Sequence, residues 1–160
     1  MDQLLTLSRL DSLDNLDDVD PITLADLLQS AVLDIWHPAQ QAGIDIRLFN
    51  HAPQVKRQGQ PLLLSLLVRN LLDNAIRYSP RGSVVDVTLD ARSFSVRDNG
   101  PGVDPEVLAR IGERFYRPPG QNATGSGLGL SIVRRIAALH GMHVSLSNAA
   151  EGGFEVKVSW

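Results

Sequence analysis

The stretch Asn70-Leu-Leu-Asp-Asn74-Ala-Ile-Arg77-Tyr78 spaces two carboxamides four residues apart, which puts them on one face of any helix that holds them. Arg77 and Tyr78 continue that face, while Leu64, Val68, Leu71 and Ala75 form a separate apolar stripe. A carboxamide oxygen is a neutral hard ligand suited to Mg2+. Mg2+ in turn bridges nucleotide phosphates and neutralises their charge. Arg77 has the fork geometry for a phosphate oxygen. The plainer interpretation is a solvated helix face. Against it, Asn is a poor helix former, and two of them in mid-helix cost stability. These residues alone leave both interpretations open.

Two glycine turns follow. Asp98-Asn-Gly-Pro-Gly102 comes after a predicted strand. It reads either as a tight turn started by Asp98 or as a carboxylate at a strand end that accepts a hydrogen bond from the exocyclic amine of adenine. Gly100 and Gly102 would leave room for a base against the backbone. Gly125-Ser-Gly-Leu-Gly129-Leu130 opens a helix. Glycines there let backbone N–H groups approach phosphates, to which the helix dipole adds attraction; a flexible loop is the alternative. No Gly-Lys-Ser/Thr follows, so this is not a P-loop. It also lacks the strand context of the dinucleotide fingerprint. Protein-kinase signatures are missing as well: the two lysines are Lys56 and Lys157, and there is no Asp-Phe-Gly.

The elements that must position these residues can be read from periodicity. Leu at 4, 7, 10, 13 and 16 suggests an amphipathic helix in residues 1–16, either a surface helix or the tail of a helix from a preceding domain. Pro21 to Leu24 reads as a short strand. Thr23 is placed to cap a helix ending at Gly43. Ile44 to Phe49 alternates as a half-buried strand, with Val55 to Gln58 as its expected partner. Pro61 starts a strongly apolar helix that Ser79-Pro80 stops after Tyr78. Strands are predicted at 83–89 and 93–97, a helix at 128–140, and strands at 143–148 and 154–159. Residues 103–127 form a long connection, a length that is usually functional or disordered. Hairpin-like strand pairs dominate the later half, which predicts an α/β (α+β) two-layer sandwich with one mixed sheet covered on one face by helices.

Composition bounds the function. With 160 residues, 43% hydrophobic and 21% charged, the chain suits one globular domain with a mainly aliphatic core, since aromatics are 5%. The net charge of -3 lacks the basic excess of a nucleic-acid binder, and no nucleic-acid partner is expected. With no cysteine, disulfides, thiolate metal sites and a catalytic thiol are excluded. No apolar run approaches the roughly 20 residues of a membrane span, and Met1 to Leu10 lacks the features of a signal peptide. No direct membrane contact is expected of this part.

The three motifs, in this order, resemble the N, G1 and G2 boxes of the Bergerat-fold ATPases, which include gyrase, the ninety-kilodalton heat-shock chaperone, histidine kinases and MutL. Glu113-Arg-Phe-Tyr-Arg-Pro118 resembles the F box of the sensor histidine kinases of bacteria. The resemblance covers about residues 20–160. It implies ATP and Mg2+ as ligands, with Asn74 holding the metal and Asn70 and Arg77 supporting phosphates. Tyr78 would line the nucleotide pocket, and Asp98 would read the adenine amine, with Gly100 and Gly102 shaping that pocket. Residues of about 103–127 would form a lid anchored by Phe115, from which Arg117 reaches the γ-phosphate. Gly125, Gly127, Leu128, Gly129 and Leu130 would complete the cradle. Gly112 stands where many members carry Phe, a departure that bears on lid packing.

Hydrolysing branches of this family place Glu where this chain has Asn70. A carboxamide cannot act as a base near neutral pH, so Asn70 favours phosphoryl transfer to an imidazole over hydrolysis. The alternatives are a hydrolysing ATPase, a serine kinase of the anti-sigma-factor type, or a non-catalytic nucleotide sensor. Of His37, His51, His140 and His143, none precedes an acidic residue as a phospho-acceptor histidine should. The expectation is therefore a catalytic domain of residues 17–160. Residues 1–16 would end a preceding dimerisation helix or form a linker. The histidine-bearing dimerisation domain and a response regulator would be partners through a longer parent in the inner membrane. This part would lie in the cytoplasm, be monomeric, bind ATP and not label itself.

Overall fold

The computed structural model describes residues 19–100, 129–148 and 153–160. Strand β1 is Asp20–Thr23 and helix α1 is Leu24–Gln41. Strands β2 (Asp45–Asn50) and β3 (Lys56–Gly59) lead to helix α2, Pro61–Tyr78. Then come β4 (Val84–Leu89), β5 (Ser93–Asp98), helix α3 (Gly129–Leu139), β6 (His143–Asn148) and β7 (Phe154–Ser159). Five strands form one sheet in the order β2-β4-β5-β7-β6. β2 and β4 are parallel and the other pairs antiparallel, so the sheet is mixed as expected.

Period-2 alternation sorts the sheet into two faces. Val85, Val87, Leu89, Phe94, Val96, Val156 and Val158 are buried and belong to the same core as the helices' buried residues. The opposite face carries Arg47, Asp86 and Arg97 in one cross-strand row. Arg47 Nε lies 2.7 Å from Asp86 Oδ1, and Arg97 Nη2 lies 3.4 Å from Asp86 Oδ2. One covered and one polar face is the two-layer architecture read from the sequence.

Helix α2 has the bounds its sequence signals dictate. Pro61 occupies the first turn, and the Gln60 side chain accepts a hydrogen bond from Leu63 N–H at 2.8 Å. Leu64, Leu67, Val68, Leu71 and Leu72 are buried, each contributing on the order of 1.5–3 kcal/mol by burial.

Two local expectations need correction. Residues 56–59 do not pair with β2. They pair antiparallel with β1 in a separate two-stranded ribbon, with Ile22 opposite Arg57. β2 instead takes β4 as its parallel neighbour. A four-residue strand carries no signal that chooses between partners distant in the chain. Thr23 occupies the N-cap of α1 but its side chain makes no capping bond; the Leu24 N–H donates to the Val55 carbonyl at 3.1 Å instead. Gly43, with φ of 71°, follows the end of α1 as predicted.

Candidate nucleotide-binding site

The two carboxamides of α2 meet the start of α3. A Cβ built on Gly129 would lie 3.2 Å from Asn74 Oδ1, 3.4 Å from Asn74 Nδ2 and 3.5 Å from Asn70 Oδ1. Only a residue without a side chain leaves that space open. The face is not solvated at Asn70, which is 5% exposed beneath α3. Asn70 Nδ2 donates to the Leu66 carbonyl at 2.9 Å. This bond fixes the amide plane and points the oxygen side of Asn70 at Gly129. Carboxamide oxygens gathered at a helix N-terminus where a glycine lets them approach the backbone fit a cation-bridged phosphate group.

Asp98 ends β5. Its parity matches Phe94 and Val96, so its side chain turns into the helical layer, where it is 8% exposed. A buried carboxylate must be hydrogen-bonded. Asp98 Oδ1 accepts from Gly100 N–H at 2.9 Å and from Phe154 N–H at 3.3 Å. Gly100 abuts the end of α2: a Cβ there would lie 3.3 Å from Pro80 Cδ and 3.2 Å from Asp98 Oδ1. Next to it, Asn99 Oδ1 accepts from Val84 N–H at 2.8 Å, which pins the turn to β4.

The structure thus brings together Asn70, Asn74 and Gly129 in one group, and Asp98 and Gly100 in another, with α2 bordering both. Arg77 lies exposed in the last turn of α2. Leu130 is buried in the core. Tyr78 ends α2, and its side chain falls outside the described part. Gly102, Phe115, Arg117, Gly125, Gly127 and Leu128 lie outside the described residues, as do residues 1–16 and the span 103–127 assigned to a lid. Among the described residues no cluster of three or more His, Cys, Asp or Glu groups could hold a metal ion.

Sequence reasoning missed three participants. Asp73, between the carboxamides, is half-buried, and burial pushes its carboxyl above the ordinary carboxylate range while Arg69 and Arg77 pull it back. Arg69 Nε approaches it at 3.8 Å. Gly153, with φ of 96°, packs on the Asp98 backbone. The Phe154 amide is the third, and a backbone donor leaves no mark in residue identity. Only the Gly152-Gly153 pair offered a signal.

Residues 59–160 match the family described as histidine kinase-, DNA gyrase B-, and HSP90-like ATPase. The chain belongs to that family. It resembles the ATPase part of sensor histidine kinases: it is 79% identical over 160 residues to the sensor protein QseC of Salmonella typhimurium, covering 100% of this chain and 36% of that protein. Against QseC of Escherichia coli K12 the identity is 77% over the same length. The fold matches the solved cytoplasmic segment of histidine kinase QseC at a TM-score of 0.74 and 63% identity, covering 99% of this chain and 87% of that one. Full-length ShkA in complex with AMPPNP matches at a TM-score of 0.85 and 28% identity, covering 98% of this chain and 34% of that one. The chain spans about a third of the length of the QseC proteins it matches. Among the described residues no helix is long and apolar enough to cross a membrane.

Proposed function

We propose that this ATPase domain binds ATP with Mg2+ and hands the γ-phosphoryl group to a histidine on a helical dimerisation domain outside this chain. The observation that carries the reading is the convergence of the Asn70 and Asn74 carboxamides on Gly129 at the start of α3. Adenine would sit against Asp98, and the phosphates near Asn70, Asn74, Arg77 and the α3 N-terminus. Asn74 would hold Mg2+, which when bound supplies charge neutralisation at the phosphates. Likeness to ShkA, solved with AMPPNP, supports a nucleotide in this fold. Arg117, by family resemblance, would reach the γ-phosphate.

The transfer asks little base chemistry of the protein. The lone pair of a neutral imidazole nitrogen attacks the γ-phosphorus. A nitrogen–phosphorus bond forms as the bond to the bridging oxygen breaks, and ADP leaves with that electron pair. The Asn70 carboxamide is not basic enough to take a proton near neutral pH, and one of its N–H groups donates to the Leu66 carbonyl. Glu in its place would have been able to activate water. Through the parent protein, a response regulator would then receive the phosphoryl group. The parent would sit in the bacterial inner membrane with this domain in the cytoplasm.

The test follows γ-labelled ATP with Mg2+, with and without a separately made hairpin fragment bearing the acceptor histidine. Acid-labile label on the hairpin and none on this chain is the expected result. Free phosphate with an unlabelled hairpin would replace transfer by hydrolysis.

A further inference from the structure

The turn before β7 lies 56 residues from Asp98 in sequence yet touches it twice. The β5–β7 register pairs Arg97 with Glu155. Continued by two steps, that register sets Phe154 beside Asp98 and then Gly153 beside Asn99. The Phe154 N–H donates to Asp98 Oδ1 at 3.3 Å. A Cβ on Gly153 would overlap the Asp98 carbonyl oxygen and lie 2.8 Å from its carbonyl carbon and 3.1 Å from Asn99 Cα. These neighbours are backbone, which cannot swing aside as a side chain does. The φ of 96° is a second, independent demand for glycine.

Both bonds that Asp98 accepts among the described residues go to the same oxygen, Oδ1, from Gly100 and Phe154. We infer that Gly153 and the Phe154 amide are positioning groups for Asp98, holding Oδ1 so that Oδ2 is the oxygen presented to the base. The inference rests on the proposal that Asp98 reads the adenine amine. It adds that the base-reading carboxylate is set by the β7 hairpin as well as by its own glycine turn. Rotation of the carboxylate about χ2 would break both backbone bonds. A carboxylate held by two donors pays less ordering entropy when the amine arrives. Gly153 lets the hairpin come close enough for the second of those bonds.

The test compares ATP with purine riboside triphosphate, which lacks the exocyclic amine, by displacement of a fluorescent ATP analogue from the 160-residue chain. The ratio of the two affinities reports the amine contact alone, and a purely structural loss lowers both without moving the ratio. Asp98→Ala should bring the ratio close to one. Gly153→Ala should lower it by about tenfold, the order expected from disturbing a hydrogen bond to a charged group. A second variant, with the Phe154 amide replaced by an ester through ligation of a synthetic C-terminal peptide, removes the one N–H donor and keeps the shape. It should lower the ratio too, and it decides the matter if Gly153→Ala does not fold. A collapsed ratio in Asp98→Ala with an unchanged ratio in the folded Gly153 and Phe154 variants overturns the positioning role. An unchanged ratio in Asp98→Ala overturns the adenine reading itself, and the positioning role with it.

Discussion

Asn70 and Asn74 are four residues apart but sit in different surroundings, and their roles separate accordingly. Asn70 is buried and donates one amide N–H to the Leu66 carbonyl. Asn74 is half-buried, with its oxygen at the opening kept by Gly129. Truncating Asn74 to Ala should therefore lower nucleotide affinity mainly in the presence of Mg2+. Titrations with and without the metal check this, and equal losses in both would take Asn74 out of the metal site. Gly129→Ala makes a sharper test because its two effects have opposite signs. Alanine favours a helix over glycine by up to about 1 kcal/mol, so the unfolding temperature should hold or rise. The new methyl would press on Asn74 Oδ1 at 3.2 Å and touch Asn74 Nδ2 and Asn70 Oδ1 at 3.4 and 3.5 Å, so nucleotide affinity should fall by about tenfold. Unchanged affinity would show that the opening is not where the ligand sits. These residues were legible in the sequence because spacing on a helix is local information. Asp98 was legible for the same reason, its parity being fixed by the strand. Gly153 was not, because the backbone it touches is brought to it only by sheet register.

Helix α3 links the site to the far side of the domain. Its first residue faces the carboxamides, and just past its last residue His140 ties it to α2 and β3. His140 Nδ1 donates to the Ile136 carbonyl at 2.8 Å, and Nε2 accepts from the Gln60 N–H at 3.0 Å. Arg57 Nη2 donates to the His140 carbonyl at 3.0 Å. This arrangement needs the neutral ring, since a second ring proton would meet the Gln60 N–H head on. Burial pushes the His140 pKa below its ordinary value; the Ile136 bond raises it and the Arg57 charge lowers it further. In acid the unfolded chain therefore takes up a proton that the folded chain resists. The stability His140 contributes is complete above its unfolded pKa of about 6.5 and is lost as the pH falls below it. Urea unfolding between pH 7.5 and 5.5 should show this decline. A His140→Ala variant should be less stable at pH 7.5 by about 1–3 kcal/mol, for the orphaned Gln60 N–H, and should decline less steeply. Equal slopes in the two proteins would remove His140 from the pH response. The sequence showed of His140 only that no acidic residue follows it, because its partner lies 80 positions away. It fixed α2, β6 and β7 to the residue through proline and glycine punctuation, and it mispaired β3, whose four residues hold no register signal.

At the scale of the molecule, the sheet ends in two edge strands, β2 and β6, and an open edge invites pairing with another chain. Both are defended. β2 carries Asp45 and Arg47, the latter bound to Asp86 and stacked 5.4 Å over the Phe49 ring. β6 alternates His143, Ser145 and Ser147 with half-buried Val144 and Leu146. Among the described residues, the sheet's uncovered face carries mostly charged and hydroxyl side chains, with Phe49 and Val84 as apolar exceptions at its β2–β4 end, so it offers a second sheet little to stack on. The exposed large hydrophobic residues among those described are scattered: Val19, Leu33 and Trp36 on or before α1, Phe49 on β2 and Leu62 at the start of α2. Leu33 and Trp36 are neighbours at helical spacing, but two side chains fall far short of the roughly 800 Å2 per partner that a stable interface buries. The chain should therefore sediment as a monomer at micromolar concentration. A sedimentation coefficient that stays at the dimer value on dilution would mean that one of these edges or the α1 patch is a true interface, and substituting Trp36 or Arg47 would then say which.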